Sequence, residues 1–99
     1  EELLSVFYQK MSRLCIEKDS LEEAETWNRR ALHILKQLDR QVGVAHCRLN
    51  IARILEKRGE HYDSLQYAEE AQKLFNVYGS REDIRKDIER IRSHVKEGV

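Results

Sequence analysis

The backbone of this chain has only four places to turn. No Pro occurs in its 99 residues and Gly occurs four times, while Glu, Lys, Arg, Leu and Ala, all good helix formers, fill the stretches between. Breaks fall at Asp19-Ser20, Asp39-Arg40, Gly59 and Gly79. Ser20 with Glu23 three residues on has the form of a capping box, which predicts a helix start. Gly59 follows Lys57 and Arg58, the chemistry of a helix end closed by a left-handed residue. Gly79 ends the next stretch in the same way, and Ser80 with Asp83 is placed to cap a last helix. The reading is all-α: five helices near 2–17, 21–38, 41–58, 61–78 and 81–97, in one domain, with connections so short that neighbours pack antiparallel.

Charge and composition remove several functions. Eighteen Lys and Arg balance eighteen Asp and Glu, so no basic field attracts nucleic acid or anionic lipid. No apolar stretch approaches a membrane span, and Glu1-Glu2-Leu3-Leu4-Ser5 lacks the basic start of a signal peptide. A soluble, cytoplasmic chain is expected, without nucleic-acid or membrane partners. The only Met is Met11, which suggests a piece of a larger protein. Cys15 and Cys47 sit in helical surroundings and are expected as buried, reduced thiols. His46 and Cys47 are adjacent, and helix neighbours point about 100° apart, so the two cannot chelate one ion. His33, His61 and His94 have no nucleophile, carboxylate pair or phosphate loop beside them. No catalytic residue, metal site or cofactor is expected.

A shift of 40 residues brings Asp19 onto Gly59 and Asp39 onto Gly79, which implies helix-turn-helix repeats. The same shift aligns apolar stripes: Leu4, Tyr8, Met11 and Cys15, then Val44, Ile51 and Leu55, then Ile84, Ile88, Ile91 and Val95. The identities it preserves are few, mainly Arg13 with Arg53, Ala31 with Ala71 and Ile51 with Ile91. Asp19-Ser-Leu-Glu-Glu-Ala24-Glu-Thr-Trp27-Asn-Arg-Arg-Ala31 and Gly59-Glu-His-Tyr-Asp-Ser64-Leu65-Gln-Tyr67-Ala68-Glu-Glu-Ala71 resemble the turn and second helix of a tetratricopeptide repeat. Small residues there let two antiparallel helices approach, and the aromatic, here Trp27 or Tyr67, packs on the neighbouring repeat. The resemblance implies a short right-handed solenoid: repeat 1 near 1–40, repeat 2 near 41–80, and a capping helix near 81–97. The period is longer than the usual 34 residues and is similar to that of bacterial peptide-sensing regulators. Arg48 stands where Tyr8 stands in the first repeat, and the interhelix Pro is missing.

Helical projection then says which faces have neighbours. Ile84, Ile88, Ile91 and Val95 span roughly 60° of the last helix, as on a helix packed from one side. The apolar residues of the third helix cover roughly 220°, which places it at the centre. Leu3, Phe7 and Leu14 belong to a broad apolar stripe on the first helix and form the expected self-association face, through which the chain would dimerise. In the family, first helices of successive repeats line a concave groove. The matching positions are Val6, Gln9, Arg13 and Ile16, then His46, Leu49, Asn50, Arg53 and Lys57, then Lys86, Glu89, Arg90 and Ser93. A family subclass clamps a ligand carboxylate with Lys, Asn, Asn, Lys and Arg, for which this chain has Gln9, Arg13, Asn50, Lys86 and Arg90, a match at the last three. The expected function is a noncatalytic interaction module whose mildly basic groove takes an acidic or amphipathic peptide or partner helix. The alternatives are an assembly or dimerisation segment of a larger regulator, or part of a peptide sensor.

Overall fold

The computed structural model describes residues 2–79 and 82–98, and of these all side chains except those of residues 82, 83, 97 and 98. Five helices follow one another, α1 (Glu2–Glu17), α2 (Leu21–Gln37), α3 (Gln41–Lys57), α4 (His61–Tyr78) and α5 (Glu82–Gly98), with no strand among the described residues.

Three of the four turns are one structure used three times. Asp19, Asp39 and Gly59 take positive φ of 63°, 53° and 81°. In each, the next amide reaches back five residues, Ser20 to Cys15, Arg40 to Leu35 and Glu60 to Leu55, at 2.8–2.9 Å. The left-handed residue itself bonds three back, to Ile16, Lys36 and Glu56. This pair of bonds satisfies the carbonyls a helix end leaves open, and it folds the chain back within three residues. The expected capping box does not form: Ser20 makes no side-chain cap bond. Its backbone is committed to the turn below, and the Glu23 carboxylate instead accepts the Cys15 thiol at 3.6 Å. The expected Ser80 cap lies outside the described residues.

The hairpins close at small residues. Ser12 Oγ donates to the Ala24 carbonyl at 2.9 Å, and Ser64 Oγ donates to the Ala52 carbonyl at 2.7 Å, all four residues fully buried. A hydroxyl on one helix bonded to the other's backbone requires axes closer than Leu or Ile would permit. Another close approach joins α2 to α3, where Leu35 lies over Gly43.

α3 is the helix around which the others pack. Its backbone runs close to those of α1, α2, α4 and α5, whereas the backbones of α2 and α4 do not approach each other among the described residues. One side of α3, with Val44, Cys47 and Ile54, meets Ala31, Leu35 and Ala24 of α2. The other, with Ala45, Leu49 and Ala52, joins Ala68, Ala71 and Phe75 of α4 and Ile84, Ile88 and Ile91 of α5. Leu49 is thus 0% exposed and belongs to the core, a correction to its expected groove position. The cause is the same two-sided burial that makes α3 central. Cys15 and Cys47 are free thiols inside the core. No helix among the described residues is long and apolar enough to cross a membrane.

Candidate functional site

The odd helices share one face. Val6, Gln9, Lys10 and Arg13 of α1 and His46, Asn50 and Arg53 of α3 line an open cleft of about 190 Å³. A second cleft, of about 480 Å³, continues from it past Arg13 and Arg53 to Ile16, Glu17, Glu56, Lys57, Asp87 and Arg90. Gln9, Arg13, His46, Asn50, Arg53, Lys57 and Arg90 therefore fall on one continuous surface, as do Val6 and Ile16. Lys86 is exposed and lines neither cleft. Glu89 and Ser93 are also exposed outside them, with Ser93 Oγ donating to the Glu89 carbonyl at 3.0 Å.

Most of the positive charge on this surface is already matched. Arg53, buried at 9% exposure, donates from Nε to Asp87 Oδ2 at 3.0 Å, pairs with the same carboxylate through Nη2, and donates from Nη1 to Asn50 Oδ1 at 2.8 Å. Asn50 Nδ2 donates to Asn28 Oδ1 at 3.4 Å, and Asn28 Nδ2 donates to the Cys47 carbonyl at 3.1 Å. A buried polar chain thus runs from α5 through α3 to α2, with each member satisfying the next. Arg90 grips Glu56 with Nε and Nη2, both at 2.8 Å, and reaches Asp87 with Nη1 at 2.6 Å. His94 Nε2 lies 2.9 Å from Glu56, and its ring stacks on His61 at 5.0 Å between centroids.

The protonation equilibria follow from that geometry. Burial raises the Asp87 and Glu56 carboxyls, but the guanidinium bonds outweigh it, with Arg53 and Arg90 on Asp87 and Arg90 with His94 on Glu56. Both end below the ordinary carboxylate range. Burial pulls Arg53 down, and bonding to Glu56 pushes Arg90 up. Burial pushes the Cys47 thiol up to about 12, and burial with the neighbouring Glu23 raises Cys15.

Of the five residues matched to the carboxylate clamp, the structure brings Gln9, Arg13 and Asn50 together. Asn50 spends its amide on Asn28 and its carbonyl on Arg53, and Arg90 is fully engaged by two acids. Lys57 pairs with Asp19 at 3.2 Å. Arg13 and Lys10 have no hydrogen bond or ion pair among the described residues, so they are the cations of this surface open to a ligand. Glu56, Asp87 and His94 are site residues the sequence reading missed. A signal was present: Arg53 and Glu56 on α3 face Asp87 and Arg90 on α5 at the same 34-residue offset with opposite charges. Among the described residues no group of His, Cys, Asp and Glu could hold a metal ion.

Comparison with protein-family models, curated proteins and solved structures returns no match for this chain.

Proposed function

We propose that this chain is a noncatalytic protein-interaction module of tetratricopeptide-repeat type, two repeats and a final helix, which binds an acidic or amphipathic segment across α1, α3 and α5. The packing order supports the repeat. The odd helices follow one another in sequence, α1 beside α3 and α3 beside α5, and the backbones of α2 and α4 stay apart. The 40-residue shift also maps the Ser12 and Ala24 crossing onto Ala52 and Ser64, with the hydroxyl exchanged between helices. Two hairpins that meet the same steric demand with swapped residues are built on one plan. The buried thiols suit a reducing, cytoplasmic setting.

The observation that carries the binding reading is the cleft where Gln9, Arg13 and Lys10 stand beside Asn50 and Arg53. Arg13 supplies a fork of donors suited to a carboxylate, and the exposed apolar Val6 flanks it. The test is titration of the chain with an array of acidic peptides, followed by calorimetry on those that bind. Arg13→Glu is expected to weaken binding by about tenfold or more, the loss of a charged hydrogen bond, with the circular dichroism unchanged. Equal affinity in Arg13→Glu and Lys10→Glu overturns the reading. Arg53→Ala is a poor test, because Arg53 holds α5.

A second reading, assembly through α1, is favoured by the exposure of Leu3, Phe7 and Leu14. Contiguous apolar surface of this kind marks a contact.

A further inference from the structure

α1 leaves Leu3, Leu4, Phe7 and Leu14 exposed at 86%, 39%, 51% and 43%. Forty residues on stand Gly43, Val44, Cys47 and Ile54 of α3, and these are the residues that receive α2. Leu35 lies over Gly43, Ala31 and Leu35 share a cluster with Val44 and Cys47, and Ala24 clusters with Ile54. The correspondence extends to charge. Arg58, at the end of α3, pairs with Glu25 of α2, and its counterpart at the end of α1 is Lys18, which has no ion pair among the described residues. We propose that this face of α1 seats an antiparallel helix of a partner protein, lying on α1 as α2 lies on α3, with a face of small residues and a carboxylate opposite Lys18.

This deepens the assembly reading and rests on it. Side-chain size sets what the partner helix must carry. A Cβ on Gly43 would already stand 2.5 Å from Leu35 Cδ2, so a helix crossing Leu3 at that point carries Gly, Ala or Ser where α2 carries Leu35. Phe7 stands where α3 has Cys47, so the residue over it is small as well, as Ala31 is. Leu14 in place of Ile54 is nearly a volume-conserving change, and the position of Ala24 stays small. The acid follows it directly, as Glu25 follows Ala24. Among its described residues a second copy of this chain has no such face to offer. Its small-residue surfaces, Ala24, Asn28 and Ala31 on α2 and Ser64, Ala68 and Ala71 on α4, are all buried in its own fold.

The test extends the full chain before residue 1 with a second copy of its own residues 20–40 carrying Leu35→Ala. The added helix then reaches α1 through the same Asp39-Arg40 turn that leads α2 into α3. Hydrogen exchange of the Leu3 to Phe7 amides is expected to slow by about tenfold or more, with a higher thermal midpoint. Leu3→Glu in the extended chain, at a residue 86% exposed, is expected to remove both effects, and the extension with Leu35 retained is expected to protect less. An added segment that exchanges as free coil, leaving α1 unchanged, overturns the proposal. Sedimentation of the unextended chain separates the two readings: a dimer that Leu3→Glu dissociates keeps assembly and removes the partner helix, whereas a monomer whose extension also fails removes both.

Discussion

Asp39 holds a φ of 53° and Asp19 one of 63° in turns where Gly59 does the same work at 81°. A left-handed conformation crowds Cβ of any residue except Gly, although Asp tolerates it better than most. Asp39→Gly is therefore expected to raise stability by about 0.5–1 kcal/mol in urea denaturation, since the exposed bond it loses to Gln41 contributes little. Gly59→Ala is expected to lower stability by a similar amount. These turns were legible because few residues take such a φ, and Asp and Gly are among them. The capping box at Ser20 was misread because backbone bonds in the turn, invisible to a four-residue pattern, took precedence over the side chain. Cys47 gives a second expectation. Its pKa is raised on folding, so its contribution to stability is complete below the ordinary thiol value and is lost as pH rises from about 9 toward about 12. Cys47→Ala is expected to flatten the alkaline limb of a stability profile measured over that range, after allowance for its packing loss at neutral pH.

The helices owe their positions to two kinds of contact, of which only one was open to sequence reasoning. Small residues at helix crossings announce themselves, because Ala24, Ala31, Ala68 and Ala71 recur where large apolar residues would otherwise be expected. Ser64→Val, which removes the bond to the Ala52 carbonyl and adds bulk at the closest approach, is expected to cost about 2–3 kcal/mol. The attachment of α5 through charges was not read, since Arg53 and Arg90 looked like groove cations while their acids lay on the opposing helix. Truncating Asp87 leaves the Arg53 guanidinium buried without its carboxylate, so Asp87→Ala is expected to cost about 3 kcal/mol by chemical denaturation. Arg90, nearly half exposed, is expected to matter less. Both carboxyls titrate lower in the folded chain than unfolded. Their contribution is present above the ordinary carboxylate range and is lost as pH falls through and below it. Acid is therefore expected to release α5, and a midpoint-against-pH series below about pH 4.5 on the parent chain and Asp87→Ala measures it, the variant showing the weaker acid dependence.

Across the whole molecule, burial is distributed unevenly, and that sets where the fold opens. Eight residues of α3 are buried and it meets all four other helices, so its amides open only when the chain unfolds. α1 buries only Ser5, Ser12, Cys15 and Ile16, and its first two turns hold Leu3, Leu4 and Phe7 toward solvent. What keeps that end in place is the stack of Phe7 and Tyr8 on Trp27, with ring centroids 5.5–6.0 Å apart and the Arg30 guanidinium over Tyr8 and Trp27. Aromatic pairs of this geometry contribute about 0.5–1.5 kcal/mol each beyond their buried area, far less than the core contacts of α3. Native-state hydrogen exchange is accordingly expected to show a gradient. The amides of Leu49 to Ile54 should report the global unfolding free energy, while those of Phe7 to Lys10 open several kcal/mol sooner. Trp27→Ala should lower protection in α1 selectively, leaving α4 and α5 nearly unaffected by its local component. Uniform protection along the chain would mean that α1 is held by more than its visible contacts. A self-associated state would do this, and repeating the measurement at tenfold lower protein concentration distinguishes it, because protection lent by a second copy falls on dilution and protection intrinsic to the fold does not.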